Sequence, residues 1–181
     1  MNIPNLITLS RLFMVPLLMI LILYGEFTLA FGLFLLAGIT DLLDGYLARR
    51  LDQCTLLGLY LDPAADKVLT LSSYLVLGFS GHVPAWLSVI VVFKEVFMIL
   101  GAAIILICGW EMKAEPSRWG KQTTFFQLVV VTAVLLVASM GWTAPWLVWL
   151  FGVTGLLTVF CGIHYILSRL RSLPADPLVP G

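Results

Sequence analysis

The sequence predicts an all-α, polytopic membrane protein with six transmembrane helices and a polar cavity that faces the cytoplasm. Three observations lead to this fold class: an apolar composition, six long apolar runs, and basic residues confined to alternate connections. Of 181 residues, 61% are hydrophobic and only 11% are charged, with a mean hydropathy of +1.05. Soluble domains contain about 25% charged residues, so a soluble class is excluded. The net charge of zero indicates no bulk attraction to nucleic acid.

Each apolar run is long enough for a membrane helix, which needs about 20 residues. The expected helices cover residues 6–24, 27–50, 60–79, 84–108, 122–140 and 144–168. In chain order, the runs are bounded by Pro4, Gly25, Arg50, Gly81, Pro84, Lys121, Gly141 and Arg169. Because the helices use almost the whole chain, residues 1–173 are predicted to form one six-helix membrane domain. Residues 174–181 are predicted to be a flexible C-terminal tail.

Eight of the ten Lys and Arg residues lie toward one end of the expected bundle. With six spans, the following residues all fall on one side: Arg11, Arg49, Arg50, Lys113, Arg118, Lys121, Arg169 and Arg171. The opposite connections, around Gly25, Gly81 and Gly141, contain no Lys or Arg. By the positive-inside rule, both termini and the active site face the cytoplasm. The expected location is a bacterial-type inner or plasma membrane.

The second and third expected helices carry four aspartates in a stretch of 26 residues, 41–66. Asp41 and Asp44 share one face of a helix, and so do Asp62 and Asp66, because steps of three and four residues keep the same side. Four charges at the bilayer centre would cost about 12 kcal/mol, which rivals the stability of a whole domain. Cations must therefore compensate them. Carboxylates from two helices suit hard divalent ions such as Mg²⁺. Two such metal ions can bind both the attacking and the leaving oxygen of a phosphoryl transfer.

Small and basic residues accompany the acids. Gly45 and Gly58 would allow a ligand or another helix to approach closely, and Arg49 is a bidentate phosphate donor. Asp41 lies about 21 Å from the outer end of its helix, so a substrate in the cytoplasm can reach it. The pattern predicts a metal-dependent phosphate site. For any single residue the alternatives stay open: a proton relay or ion path for an aspartate, and helix packing for a glycine.

The same residues resemble the signature of the CDP-alcohol phosphotransferases, D-x2-D-G-x2-A-R-x8-G-x3-D-x3-D. Every specified position is matched, by Asp41, Asp44, Gly45, Ala48, Arg49, Gly58, Asp62 and Asp66. The resemblance implies that the four aspartates hold a binuclear Mg²⁺ or Mn²⁺ site that binds the pyrophosphate of a CDP-linked donor. It also implies that Asp66 is the general base, which takes the proton from an acceptor hydroxyl. Gly45, Ala48, Arg49 and Gly58 would surround the donor.

The N-terminal segment adds a second resemblance. Asn5, Thr8 and Arg11 match the N-x2-T-x2-R segment of the same family, whose side chains approach the CDP group. The alternative for this segment is a juxtamembrane anchor, in which Arg11 meets lipid headgroups.

The start of the fifth expected helix points to the acceptor. Arg118, Lys121, Thr124 and Gln127 recur every third residue and are expected to share approximately one face. The stretch G-K-x2-T-x2-Q resembles bacterial phosphatidylglycerophosphate synthases, and K-x2-T-x2-Q occurs in the related cardiolipin synthases. Arg118 and Lys121 would bind an acceptor phosphate; ordinary positive-inside charge is the alternative.

Lys94 and Glu95 lie near the middle of the fourth expected helix, where neither charge can face lipid without a partner. One or both are expected to turn toward the polar cavity, with Glu95 as an acceptor-binding residue. Relatives that use glycerol phosphate carry R-E here and a second arginine one or two turns later. This chain has Ala102 and Ala103 in that region, which keeps phosphatidylglycerol open as the acceptor.

The predicted function is a phosphatidyltransferase that uses CDP-diacylglycerol, with glycerol 3-phosphate as the leading acceptor. Cardiolipin synthase is the first alternative, and inositol or inositol phosphate acceptors are more distant. A divalent-cation or proton transporter is the alternative from another class. Against it, the outer parts of helices two and three, Leu29–Gly38 and Val68–Phe79, are expected to be almost purely apolar. The expected partners are the two substrates and membrane lipids, without nucleic acid, and a homodimer is compatible with the sequence.

Overall fold

The computed structural model describes the backbone of residues 3–50, 56–107 and 118–172, and the side chains of residues 9–41, 67–101 and 120–167. Within these ranges the chain forms six α-helices and no β-strand. The helices are α1 Ile3–Leu23, α2 Phe27–Arg50, α3 Leu56–Phe79, α4 Ala85–Ile107, α5 Arg118–Ser139 and α6 Leu147–Ser172. The predicted all-α class is confirmed, together with the number and order of the helices.

Helix boundaries follow the expected ones to within four residues, and α2 has the expected bounds. α6 begins three residues late because the chain first turns, with Leu147 N–H donating to Ala144 O at 3.0 Å and Val148 N–H to Pro145 O at 3.3 Å. α3 begins four residues early, so that Gly58 lies inside the helix. The expected tail, residues 174–181, lies outside the described residues.

One type of turn closes all three fully described connections. Gly25, Gly81 and Gly141 have φ values of 78°, 74° and 64°, which residues with a Cβ rarely adopt. The N–H of the following residue then donates to a carbonyl five residues back, in the pairs Glu26–Leu21 (2.9 Å), His82–Leu77 (3.0 Å) and Trp142–Val137 (3.2 Å). This is the long bond of the Schellman motif, which satisfies a carbonyl at the helix end. The turns form three hairpins, α1/α2, α3/α4 and α5/α6.

The hairpins pack into one bundle. α1 contacts both α2 and α3, α2 contacts α5, and α4 contacts α6 as well as its hairpin partner α3. Apolar side chains from all six helices fill the interior, among them Leu18, Ala30, Leu77, Leu87, Leu135 and Phe151. Since α1 touches both helices that carry the aspartate signature, it is placed to contribute to that site.

The bundle exposes many large apolar side chains and buries several polar ones. Large apolar side chains such as Phe93 and Leu156 are exposed, whereas Gln127, Thr154 and Thr158 are fully buried. In the described part of the chain, Gly120–Ser139 and Leu147–Leu167 are each long and apolar enough to cross a membrane. All six helices contain 21 to 26 residues. At 1.5 Å per residue these lengths correspond to about 32 to 39 Å.

The outer half of α3 corrects one expectation. Thr70, Ser72, Ser73 and Tyr74 are buried there, so Val68–Phe79 is not almost purely apolar. Two of these hydroxyls donate to backbone carbonyls, Ser73 to Leu69 O at 2.7 Å and Tyr74 to Gln127 O at 3.2 Å. Ser73 and Tyr74 can therefore be buried at low cost, because their hydroxyl protons are paired within the bundle.

Candidate functional site

An ion pair joins α1 to the first aspartate of the signature. Arg11 is 1% exposed, and its Nη1 lies 2.5 Å from Oδ1 of Asp41 in α2, whose side chain is 43% exposed. Burying a guanidinium is costly unless a carboxylate compensates it, so the two helices are held in this register. The N-terminal segment and the signature, which the sequence indicates separately, are thus brought together at Arg11. Its burial excludes the alternative in which Arg11 meets lipid headgroups.

The rest of the signature lies on α2 and α3. Asp44, Gly45, Ala48 and Arg49 belong to the last two turns of α2, and Gly58, Asp62 and Asp66 to the first half of α3. Asn5 and Thr8 lie in the first two turns of α1. The side chains of these nine residues lie outside the described ones, so their predicted roles as ligands stay predictions. Their helices are in contact through α1.

The donor set fits the metal that the family resemblance implies. Four carboxylates supply the oxygen ligands that Mg²⁺ and Mn²⁺ prefer, and the 43% exposure of Asp41 leaves its carboxylate open to a bound group. Among the side chains that the structure describes, no three His, Cys, Asp or Glu residues come together. Only one of the four aspartates is among them.

A second charged cluster lies between α3 and α4. We call it the Glu95 cluster, formed by Lys67, Lys94 and Glu95. Glu95 is 2% exposed; Nζ of Lys94 lies 2.5 Å from its Oε1, and Nζ of Lys67 bonds to its Oε2. Both Lys94 and Glu95 are buried; that they face a polar cavity stays a prediction. Sequence reasoning missed Lys67, although a single lysine that follows Asp66 into an apolar run also needs a partner.

The predicted acceptor residues on α5 do not all share one face. Lys121 is exposed, whereas Gln127 is fully buried and donates from Nε2 to Thr158 Oγ1 of α6 at 3.3 Å. Three residues advance a helix by 300°, so two such steps turn Gln127 about 120° away from Lys121. The expected common face is therefore wrong for Gln127, which joins α5 to α6. Arg118 is the first residue of α5, and its side chain lies outside the described ones.

Both charged groups occupy one layer of the bundle. Arg11, Asp41, Lys67 and Glu95 lie 8, 9, 11 and 12 residues from Ile3, Arg50, Leu56 and Ile107 respectively, the helix ends opposite the glycine turns. These separations correspond to depths of about 12 to 18 Å. The Arg11–Asp41 pair and the Glu95 cluster are thus at similar depth along their helices.

Comparison with known proteins agrees with the signature. Residues 1–157 match the family described as CDP-alcohol phosphatidyltransferase. The chain is 33% identical to a probable phosphatidylglycerophosphate synthase of Mycobacterium tuberculosis, an alignment that covers 95% of this chain and 83% of that protein. It is 32% identical to a cardiolipin synthase (CMP-forming) of Streptomyces coelicolor, over 97% of this chain and 86% of the relative. A probable cardiolipin synthase of Drosophila melanogaster is 35% identical, but the aligned part covers 93% of this chain and only 58% of the fly protein.

Proposed function

The chain belongs to the CDP-alcohol phosphatidyltransferase family, and on that premise we propose that it transfers the phosphatidyl group of CDP-diacylglycerol to glycerol 3-phosphate and releases CMP. The observation that carries the proposal is the Arg11–Asp41 ion pair, which joins two segments that the family resemblance assigns to the donor site. If α1 and α2 only packed against each other, apolar residues would serve, and no buried arginine would be needed beside Asp41.

In the proposed reaction the hydroxyl oxygen of the acceptor attacks the phosphorus that carries the diacylglycerol. The bond between this phosphorus and the bridging oxygen of the pyrophosphate breaks, and CMP leaves with the electron pair. The hydroxyl proton passes to the carboxylate of Asp66, the proposed general base. Arg11 holds the carboxylate of Asp41 in place, while Arg49 is a donor for the pyrophosphate oxygens.

Asp41, Asp44, Asp62 and Asp66 would together hold two Mg²⁺ or Mn²⁺ ions. When bound, such ions compensate the negative charge of the pyrophosphate and of the leaving CMP. The half-exposed carboxylate of Asp41 supports this assignment because it combines a fixed orientation with room for a ligand.

The proposed setting is a membrane crossed by all six helices, with both termini and the site on the cytoplasmic side. The length of the helices, the apolar residues on their outward faces and the buried polar interior all support six spans. Basic residues at the end opposite the glycine turns support the orientation. A bacterial-type inner or plasma membrane is the proposed location.

Cardiolipin synthase is the second candidate. Relatives with that name are as similar to this chain, at 32% and 35% identity, as the phosphatidylglycerophosphate synthase at 33%. Phosphatidylglycerol would then be the acceptor in the same chemistry. A transporter is less well supported, because the hydroxyls of Ser73 and Tyr74 in α3 donate to backbone carbonyls, which leaves these two protons engaged within the bundle.

The test is CMP release by the purified protein in phospholipid nanodiscs with Mg²⁺ and CDP-diacylglycerol. Glycerol 3-phosphate, phosphatidylglycerol and inositol phosphate are supplied in separate reactions, and the lipid product is identified by mass spectrometry. Phosphatidylglycerol phosphate from the first reaction is the expected result. Cardiolipin from the second alone would favour the second candidate, and no CMP in any reaction would contradict the family chemistry for this chain.

A further inference from the structure

We propose that Lys67 is a substrate-binding residue whose ammonium group binds the phosphate of the acceptor, and that Glu95 positions Lys67. The inference rests on the proposed function and assigns Glu95 a different role from direct acceptor binding. It applies to both candidate acceptors, since glycerol 3-phosphate and phosphatidylglycerol each carry an anionic phosphate.

The charge of the Glu95 cluster is the first step. Glu95 is buried, and the equally buried Lys94 lies against one of its oxygens, so one positive charge already compensates the carboxylate. Lys67 adds a second positive charge on the other oxygen. The cluster therefore carries a net charge of +1 inside an apolar bundle, a state that favours binding of an anion.

Exposure decides which lysine meets that anion. The side chain of Lys94 is 5% exposed, whereas that of Lys67 is 29% exposed. An ammonium group has three donors, so Lys67 can bond to Glu95 and still offer protons to a ligand. Lys94 serves to compensate the buried carboxylate.

The position of Lys67 on α3 explains why the anion is the acceptor's. Lys67 directly follows Asp66, the proposed base, in the sequence of α3. The positions one turn away from Lys67 on α3 are Pro63, Ala64, Thr70 and Leu71, none of which is acidic. An acceptor that gives its hydroxyl proton to Asp66 has its own phosphate a few bonds away, which brings that phosphate to the neighbouring ammonium.

The test compares variants of the two lysines that share Glu95. Lys67→Met removes the charge, and Lys67→Gln removes the charge but keeps a hydrogen-bond donor for Glu95. Lys67→Arg keeps the charge. Lys94→Met is the matched control, because it also takes one lysine from the same carboxylate. For each variant, apparent KM values are measured separately for the acceptor and for CDP-diacylglycerol, and folding is checked by thermal unfolding in detergent.

The expected result is an acceptor KM raised at least about tenfold in Lys67→Met and Lys67→Gln, as for loss of a charge-assisted hydrogen bond. The donor KM should stay within about twofold, Lys67→Arg should recover most of the loss, and Lys94→Met should lower the unfolding temperature with a much smaller change in acceptor KM. If the wild type is active, an acceptor KM that changes equally in the Lys67 and Lys94 variants, or that changes in neither, would overturn the inference. A rise in donor KM alone would also overturn it, by assigning Lys67 to the donor. No CMP release by the wild type would instead remove the proposed function, and this inference with it.

Discussion

Two groups of charged side chains in this protein each combine buried charges with one that is partly exposed. Arg11 is almost completely buried against a half-exposed Asp41, whereas in the Glu95 cluster the acid is buried and one lysine reaches outward. In each group the charge on the open side is the one assigned to a ligand: Asp41 to a metal ion and Lys67 to a phosphate. The buried partner fixes the geometry of the open one.

Replacing Arg11 tests the first group. Arg11→Met should lower the free energy of unfolding by about 1 to 2 kcal/mol, below the value for a fully buried pair because the side chain of Asp41 is 43% exposed. CMP release should fall with it, since Asp41 loses its fixed orientation. Unfolding in mixed micelles and turnover in nanodiscs measure the two effects.

A double-mutant cycle with Asp41→Asn supplies the control for Arg11. The second substitution should cost little stability once Arg11 is gone, because the partner charge is already absent. Fully additive losses would show that the ion pair does not couple the two helices.

Replacing Asp66 tests the proposed base. Asp66→Asn should reduce turnover by at least about a hundredfold, in the range of general-base catalysis, while binding of CDP-diacylglycerol remains measurable. The amide keeps the shape of the side chain and one ligand oxygen but cannot take a proton. Single-turnover CMP release and equilibrium donor binding separate the two effects, and near-normal turnover would assign the base elsewhere.

At the scale of helices, α3 and α4 approach each other closely at Gly78 and Ser88. A Cβ at Gly78 would lie 2.5 Å from Oγ and 2.9 Å from Cβ of Ser88, distances at which one of the two helices must move. The hairpin that carries Lys67 and Glu95 therefore depends on glycine at this position. The Gly81 turn alone does not fix the distance between the helices.

Gly78→Ala should accordingly destabilise the fold by about 1 to 3 kcal/mol, as overpacking does in other cores. Gly152→Ala is the matched control in α6, because nothing lies within 4 Å of a Cβ there; it should be neutral or slightly stabilising, since alanine favours a helix. Adding Ser88→Gly to Gly78→Ala should recover most of the loss. Equal unfolding temperatures for the two single variants would contradict the close contact.

Most of the helical architecture could be predicted because its signals are local. Apolar runs and the glycines of three turns identify six helices, and the bounds of α2 follow from the residues alone. The pairs that assemble the site could not be predicted, since Arg11 and Asp41 are brought together only by the packing of α1 on α2. Lys67 was missed for the same reason: its partner lies on α4, and only tertiary contact identifies it. The prediction that Gln127 shares a face with Lys121 was wrong because a step of three residues falls short of a full helical turn.

At the scale of the whole molecule, chemistry and structure occupy opposite ends of the bundle. The three glycine turns lie at one end, while the Arg11–Asp41 pair and the Glu95 cluster lie about 12 to 18 Å from the other. The signature residues of α2 and α3 lie between that depth and the same end. In the proposed membrane setting, a site so placed would receive a water-soluble acceptor from one side and a lipid donor from the bilayer. The turn end has only to close the hairpins.

This polarity makes a topological prediction that fusions can test in a bacterial host. Alkaline phosphatase, which is active only outside the cytoplasm, should be active when fused after Glu26, His82 or Trp142 and inactive when fused after residue 52, 113 or 173. Green fluorescent protein at the same sites should give the complementary pattern, which controls for expression. The reason is that basic residues retain one set of connections inside, and the glycine-turn connections carry none. Active phosphatase at residue 113 or 173 would show that the orientation is the reverse of the proposed one. The acceptor would then reach Asp66 from the other side of the membrane.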